Sequence, residues 1–194
     1  MDLARHISDY LAETIAIAQS IDRGAIARAI EILDDARAAG KRLFILGVGG
    51  SAGNASHAVN DFRKIAKIEA YAPTDNVSEL TAWTNDVGWH AVFIEWLKTS
   101  RLGPGDVVLV FSVGGGSPAV SRNLVLAMEH AIAVGAKLLS VVSRSGGQAR
   151  ELSHACVLVP VISNERITPH AEGWQAIVWH CIVNALAATA QAKA

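Results

Sequence analysis

Little in this chain points toward the extracellular space, a membrane or a nucleic acid. It has two cysteines, Cys156 and Cys181, both in apolar stretches and without metal-ligand spacing. That pattern excludes a thiolate metal cluster and reads as buried free thiols in a reducing compartment. Charge is scarce, at 18% of residues, and nearly balanced, with 17 Lys and Arg against 18 Asp and Glu. No basic excess is available to track a phosphate backbone or an anionic bilayer, so neither nucleic acid nor membrane is an expected partner. No uninterrupted apolar run reaches membrane-spanning length. The start, Met1-Asp2-Leu3-Ala4-Arg5-His6, is not a basic region leading into an apolar stretch, so no signal peptide is expected. These absences predict a cytoplasmic protein.

Apolar residues are what the chain has in quantity: 51% of 194 residues. That is enough for one substantial core, and apolar enough to suggest oligomerisation through buried helices. No linker or low-complexity segment divides the chain. A single domain over residues 1–194 is expected, with a helical pair over 1–40 and an α/β sandwich over 41–194.

One pattern occurs twice. Leu43-Phe44-Ile45-Leu46 runs into Gly47-Val48-Gly49-Gly50-Ser51, and Val107-Val108-Leu109-Val110-Phe111 runs into Ser112-Val113-Gly114-Gly115-Gly116-Ser117. Each is a short apolar strand, a glycine-rich turn, a hydroxyl and then a helical pattern. Glycines let backbone N–H groups converge on an anion, the helix start adds partial positive charge, and serine adds a donor. Two such cradles suggest one pocket suited to a phosphorylated small molecule.

Apolar periodicity predicts helices over 3–21, 23–39, 51–67, 77–85, 89–100, 118–134 and 170–191. It predicts strands over 43–46, 107–111, 137–143 and 155–161. The first two helices are either a cap on the sheet or an oligomer interface. Residues 71–76 and 163–169 read as loops, and Arg144-Ser145-Gly146-Gly147 as the end of the third strand. Strand–helix alternation implies a three-layer αβα sandwich on a parallel sheet, flavodoxin-like and doubly wound, with ligands bound at the carboxyl ends of the strands.

His57 and Asp61 are four residues apart and project from one face of the helix after the first turn. Glu172 and His180 lie eight apart on the last helix, within about 80° around its axis but separated by about 12 Å of rise. Two imidazoles and two carboxylates suit zinc or a similar ion. The axial distance requires the two side chains on the last helix to lean together, or the pairs to meet across a subunit boundary. An acid–base site, and a surface pair beside a core histidine, are the other readings. Asp86 either caps the following helix or reaches a sugar hydroxyl. His170 sits at a helix start near Glu172, placed for packing or for substrate. The five tryptophans read as core or interface anchors.

The run Gly47-Val48-Gly49-Gly50-Ser51-Ala52-Gly53-Asn54-Ala55-Ser56-His57, then Asp61, then Ser112 to Ser117, resembles the SIS (sugar isomerase) domain family on its phosphoheptose isomerase branch. The resemblance covers nearly the whole chain. It implies a homotetramer with active sites between subunits, converting sedoheptulose 7-phosphate to D-glycero-D-manno-heptose 7-phosphate for bacterial surface polysaccharide. It also implies that Asp61 is the catalytic base and His180 its acid–base partner. His57, Asp61, Glu172 and His180 match the zinc-holding positions, and Ser51, Ser112 and Ser117 match phosphate-binding hydroxyls. Gly49, Gly50, Gly114, Asp86 and Glu172 complete the expected substrate contacts. Val48 and Val113 replace the usual asparagine and threonine, Gly114 and Gly116 replace a serine and an asparagine, Asp61 replaces glutamate and Glu172 replaces glutamine. These departures suggest a variant subfamily that keeps the metal and has changed its phosphosugar. The alternative is a non-enzymatic SIS module that binds a phosphosugar or a replication initiator.

Overall fold

Side chains alternate along a strand, and here both faces are apolar, so each strand requires cover on two sides. In the computed structural model, which describes residues 2–192, five parallel strands satisfy this by sitting between two helical layers. The strands are β1 (Leu43–Leu46), β2 (Ala70–Tyr71), β3 (Val107–Phe111), β4 (Lys137–Val142) and β5 (Ala155–Leu158). Their order is β2-β1-β3-β4-β5, all parallel, with Leu43 opposite Val107 and Val107 opposite Lys137. This is the flavodoxin-like order, whose direction of winding reverses between β1 and β3. Both glycine turns leave the sheet at that reversal.

Leu43 and Ile45 face one layer with α2 (Arg23–Ala38), α3 (Gly50–Lys64) and α8 (Ile167–Ala192). Phe44 and Leu46 face the other, with α5 (Val92–Thr99), α6 (Arg122–Ala133) and α7 (Gly147–Leu152). Leu80 and Trp83 of α4 (Val77–Val87) pack on its edge. The two leading helices differ in how they meet the sheet. Ala25, Ala29, Leu33 and Ala36 bury α2 against the sheet. By contrast α1 (Leu3–Ser20) buries only Ile17 and presents Leu3, Ile7, Leu11 and Ile15 to solvent, each more than half exposed.

Several boundaries differ from the sequence reading, each for a local reason. The two-residue β2 falls at the edge of a segment read as loop, and is too short to carry a period. The turn after α4 runs over Gly88–Ala91, so Asp86 lies inside α4 and does not cap α5, whose start has no side-chain cap. The helix expected from Pro118 begins at Arg122, because Gly115, Gly116 and Ser121 adopt left-handed backbone and Ser117 closes a tight turn with Val120. β5 stops at Leu158, just short of Pro160, which has no N–H for the ladder. α8 begins before Pro169, because proline costs nothing in a first helical turn. Short α7 starts at Gly147, in a run read as the end of a strand with no helix expected after it.

The thiols are free, but not both buried: Cys156 is half-buried in β5, where burial pushes its pKa up, and Cys181 is exposed. His170 is buried, stacked on Tyr10 at 4.5 Å and paired with Glu13 at 2.8 Å, so it packs the helix start against α1. Trp96, Trp174 and Trp179 are core residues, whereas Trp89 is exposed. Among the described residues no helix is long and apolar enough to cross a membrane.

Candidate active site

A cavity of about 470 Å³ opens at the carboxyl ends of β1, β3 and β4. Val48 and Ser51 line it from the first glycine turn, and Ser112, Val113, Gly114, Gly116 and Ser117 from the second. A third turn, after β4, adds Arg144, Ser145 and Gly147. The turns interlock backbone to backbone: Ala149 N donates to Gly115 O at 2.9 Å, and Gln148 N to Gly116 O at 3.0 Å. Glycine is required there, since a Cβ on Gly115 would lie 1.8 Å from Gly146 O and φ at Gly115 is +75°.

The serines share a donor state. Ser112 Oγ accepts from Gly115 N at 3.1 Å, Ser117 Oγ from Val120 N at 3.1 Å, and Ser51 Oγ from Gln175 Nε2 at 3.0 Å. None of the three hydroxyls donates to an acceptor among the described residues, so each has its hydrogen free for the cavity. Ser51 stands in the first turn of α3 and Ser121 precedes α6, so two helix starts add positive potential. Arg144 brings a guanidinium without an ion-pair partner among the described residues, on backbone at φ +54°. Hydroxyl donors, helix starts and one cation are the kinds of group that can hold an anion such as a phosphate ester.

Gly49 and Gly50 build the first turn without lining this cavity, and Asp86 is exposed on α4, outside it. Glu172 also lies outside the lining and packs against the first turn, where a Cβ on Gly50 would come within 2.5 Å of its Oε2. That contact follows from α3 and α8 packing side by side in the same direction, with Ser51 and Asn54 beside Gln175 and Asp61 beside His180.

Farther along the same helix pair, His57, Asp61 and His180 bring their ligand atoms within 4.8 Å of one another. Asp61 Oδ2 lies 3.9 Å from His57 Nε2 and 3.6 Å from His180 Nε2. Asp61 is buried, and its Oδ1 accepts from Asn60 Nδ2 at 2.8 Å. His180 Nδ1 lies 2.7 Å from Ala176 O, a group that only accepts, so Nδ1 carries the proton and Nε2 offers its lone pair. Trp179, wholly buried, stacks on His180 at 3.5 Å and meets the edge of His57 at 4.7 Å, holding both rings in place. His180 is thus half exposed and oriented, not a core histidine. Two imidazoles and one carboxylate with an open side are a donor set suited to a divalent ion.

Three of the four proposed ligands therefore meet within one chain, and Glu172 does not join them. Between Glu172 and His180 α8 rises about 12 Å, and between Ser51 and Asp61 α3 rises about 15 Å, at 1.5 Å per residue.

Comparison with known proteins places this geometry. The pattern of the SIS domain matches residues 9–143. The chain belongs to the SIS domain family. A phosphoheptose isomerase from Geotalea daltonii is 34% identical over 147 residues, covering 73% of this chain and 74% of that protein. Another, from Geobacter sulfurreducens, is 34% identical over 149 residues, covering 74% and 76%. The structure of phosphoheptose isomerase from Neisseria gonorrhoeae superposes with a TM-score of 0.82 at 23% identity, covering 95% of this chain and 98% of that one. At that identity it speaks for the SIS fold, which the present sheet order shares.

Sequence reasoning missed Arg144, Ser145, Ser121 and Thr168 in the lining, along with Gln175 behind it. The signal for the first two was present: Val141-Val142 followed by Ser143 to Gly147 is a third strand and glycine turn. Thr168, Ser121 and Gln175 carried no local signal, because tertiary packing alone brings them there.

Proposed function

We propose that this chain is a phosphosugar aldose–ketose isomerase that interconverts sedoheptulose 7-phosphate and D-glycero-D-manno-heptose 7-phosphate. The observation that carries this reading is the set of three serine hydroxyls, each accepting from the protein and free to donate into one cavity beside Arg144. That arrangement suits the phosphate end of the sugar.

The reactive end belongs with Asp61 and His180. Isomerisation moves one proton between adjacent carbons and another between their oxygens, through an enediol. Asp61 Oδ2 takes the proton from C1 and returns it to C2. His180 Nε2 carries the other proton between O1 and O2, its tautomer fixed by Ala176 O. His57, Asp61 and His180 of one copy, with Glu172 of another copy as the fourth ligand, are the residues that would hold zinc, and His180 Nε2 carries its proton only while it is not ligating the ion. Bound there, zinc would polarise the carbonyl and hydroxyl oxygens as a Lewis acid.

The rise of α3 separates the two ends of the site within one chain, so a small sugar is best held between copies. The exposed stripe Leu3, Ile7, Leu11 and Ile15 supports a homotetramer in which Glu172 and the phosphate cradle of one copy face the triad of another. The charge balance supports a cytoplasmic enzyme that engages neither nucleic acid nor membrane.

A second reading, a phosphosugar-binding module without catalysis, draws on Val48 and Val113, which place apolar side chains in the lining. The oriented His57–Asp61–His180 group favours catalysis. Turnover of sedoheptulose 7-phosphate by the purified protein, lost with chelator and restored by zinc, supports the isomerase. Phosphosugar binding without turnover at any pH, zinc present, supports the module.

A further inference from the structure

The hydroxyl of Ser51 is aimed from the opposite helix by a chain of bonds that can run in only one sense. The main-chain carbonyl of Glu172 only accepts, so the Asn54 group 2.9 Å from it is the amide nitrogen. The same Nδ2 lies 2.9 Å from Gln175, which therefore presents Oε1 to it. Gln175 must then turn Nε2 toward Ser51 Oγ, at 3.0 Å. Flipping Gln175 alone would oppose two donors, and flipping Asn54 as well would set its oxygen against the Glu172 carbonyl. Gln175 is 0% exposed, so no water can exchange for either bond. Ser51 is left as an acceptor from Gln175 with one hydrogen to give, and it lines the cavity.

We propose that Gln175 is a positioning residue for the anionic end of the ligand: it makes the Ser51 hydroxyl an obligate donor into the cavity. This rests on the reading of the cavity as a phosphate site. Ser112 and Ser117 are held by N–H groups of their own loop, three residues away in each case. Ser51 alone depends on a side chain from a distant helix, so its contribution to binding is removable without touching the cradle. Losing one well-aimed hydrogen bond to a charged ligand weakens binding about tenfold or more.

The test is a double-mutant cycle between Gln175→Met and Ser51→Ala, read by calorimetric binding of inorganic phosphate and of sedoheptulose 7-phosphate. Thermal melts accompany each variant. Gln175→Met keeps the length of the side chain without its polar ends. It should weaken phosphate binding about tenfold in the parent chain and leave it unchanged when Ser51 is already alanine. Gln175→Glu, which accepts from Asn54 but cannot donate while ionised, should recruit the Ser51 hydrogen to itself and weaken binding at least as much. In turnover, the Gln175→Met loss should fall on KM and leave kcat largely intact. Equal weakening by Gln175→Met with and without Ser51 would overturn the proposal, revealing a general packing role. Unchanged binding in both Gln175 variants would also overturn it while leaving the phosphate site standing. Absence of phosphate binding by the parent protein would instead bring down the underlying reading, and this proposal with it.

Discussion

Gly115→Ala is the sharpest perturbation the structure offers. An ideal Cβ there would lie 1.8 Å from Gly146 O and 2.5 Å from Gly146 C, both main-chain atoms that cannot swing aside. The residue also sits at φ +75°, where an L side chain costs about 1–2 kcal/mol. Forcing a methyl into a filled space adds about 1–3 kcal/mol. The sum, about 2–5 kcal/mol, is a large share of a typical stability of about 5–15 kcal/mol. The clash separates the turns after β3 and β4, so the cavity should open along with the loss of stability. Urea unfolding measures the first effect: at about 1–3 kcal/mol per molar, the midpoint should fall by about 0.7 M or more. Calorimetry with inorganic phosphate measures the second, and binding should drop below detection. Gly53→Ala is the matched control, because a Cβ there meets nothing within 4 Å on an exposed helical face, and it should stabilise by about 0.4–1 kcal/mol. A Gly115→Ala protein as stable as the parent, with phosphate affinity intact, would refute the interlocked-turn account of the cavity.

Arg144→Ala should weaken phosphate binding by tenfold or more by calorimetry at fixed ionic strength, with Arg144→Lys retaining part of the affinity as a point charge. Asp61→Asn removes the carboxylate charge from between two histidines, so zinc per subunit measured by mass spectrometry should fall sharply while circular dichroism stays unchanged. Hydrogen bonding to Arg166, with further help from His170, holds Glu13 down to about 2. A depressed carboxylate stabilises the fold above its ordinary pKa and loses that contribution as pH falls toward the folded value. Glu13→Gln should therefore lower the melting temperature at pH 7, and the gap from the parent should narrow steadily below about pH 4.5.

Where the sequence carried a strong period, the fold was legible from it. The four longer strands, the two glycine cradles and the helices bearing His57, Asp61 and His180 follow from apolar runs and spacing alone. Edge strand β2 was not, since two residues give no period and its pairing with Leu43 and Phe44 exists only in the sheet. The start of α6 was misplaced because left-handed Ser121 is a tertiary outcome without a sequence mark. At the site, residue types pointed to an anion and an ion, but could not say that α3 and α8 run side by side in the same direction. That alignment sets Glu172 beside Gly50 and His180 beside Asp61. Gln175 shows the limit most clearly: an unremarkable glutamine in a helix becomes informative only once Asn54 and Ser51 stand on either side of it.

The most direct test is to incubate the zinc-loaded protein with sedoheptulose 7-phosphate in deuterated water and follow the sugar by proton and carbon NMR. Aldose should accumulate with deuterium at the carbons that exchange their proton, and Asp61→Asn should abolish both signals while still binding phosphate. A parent protein that grips the sugar phosphate yet neither forms aldose nor exchanges carbon-bound hydrogen would contradict the isomerase assignment.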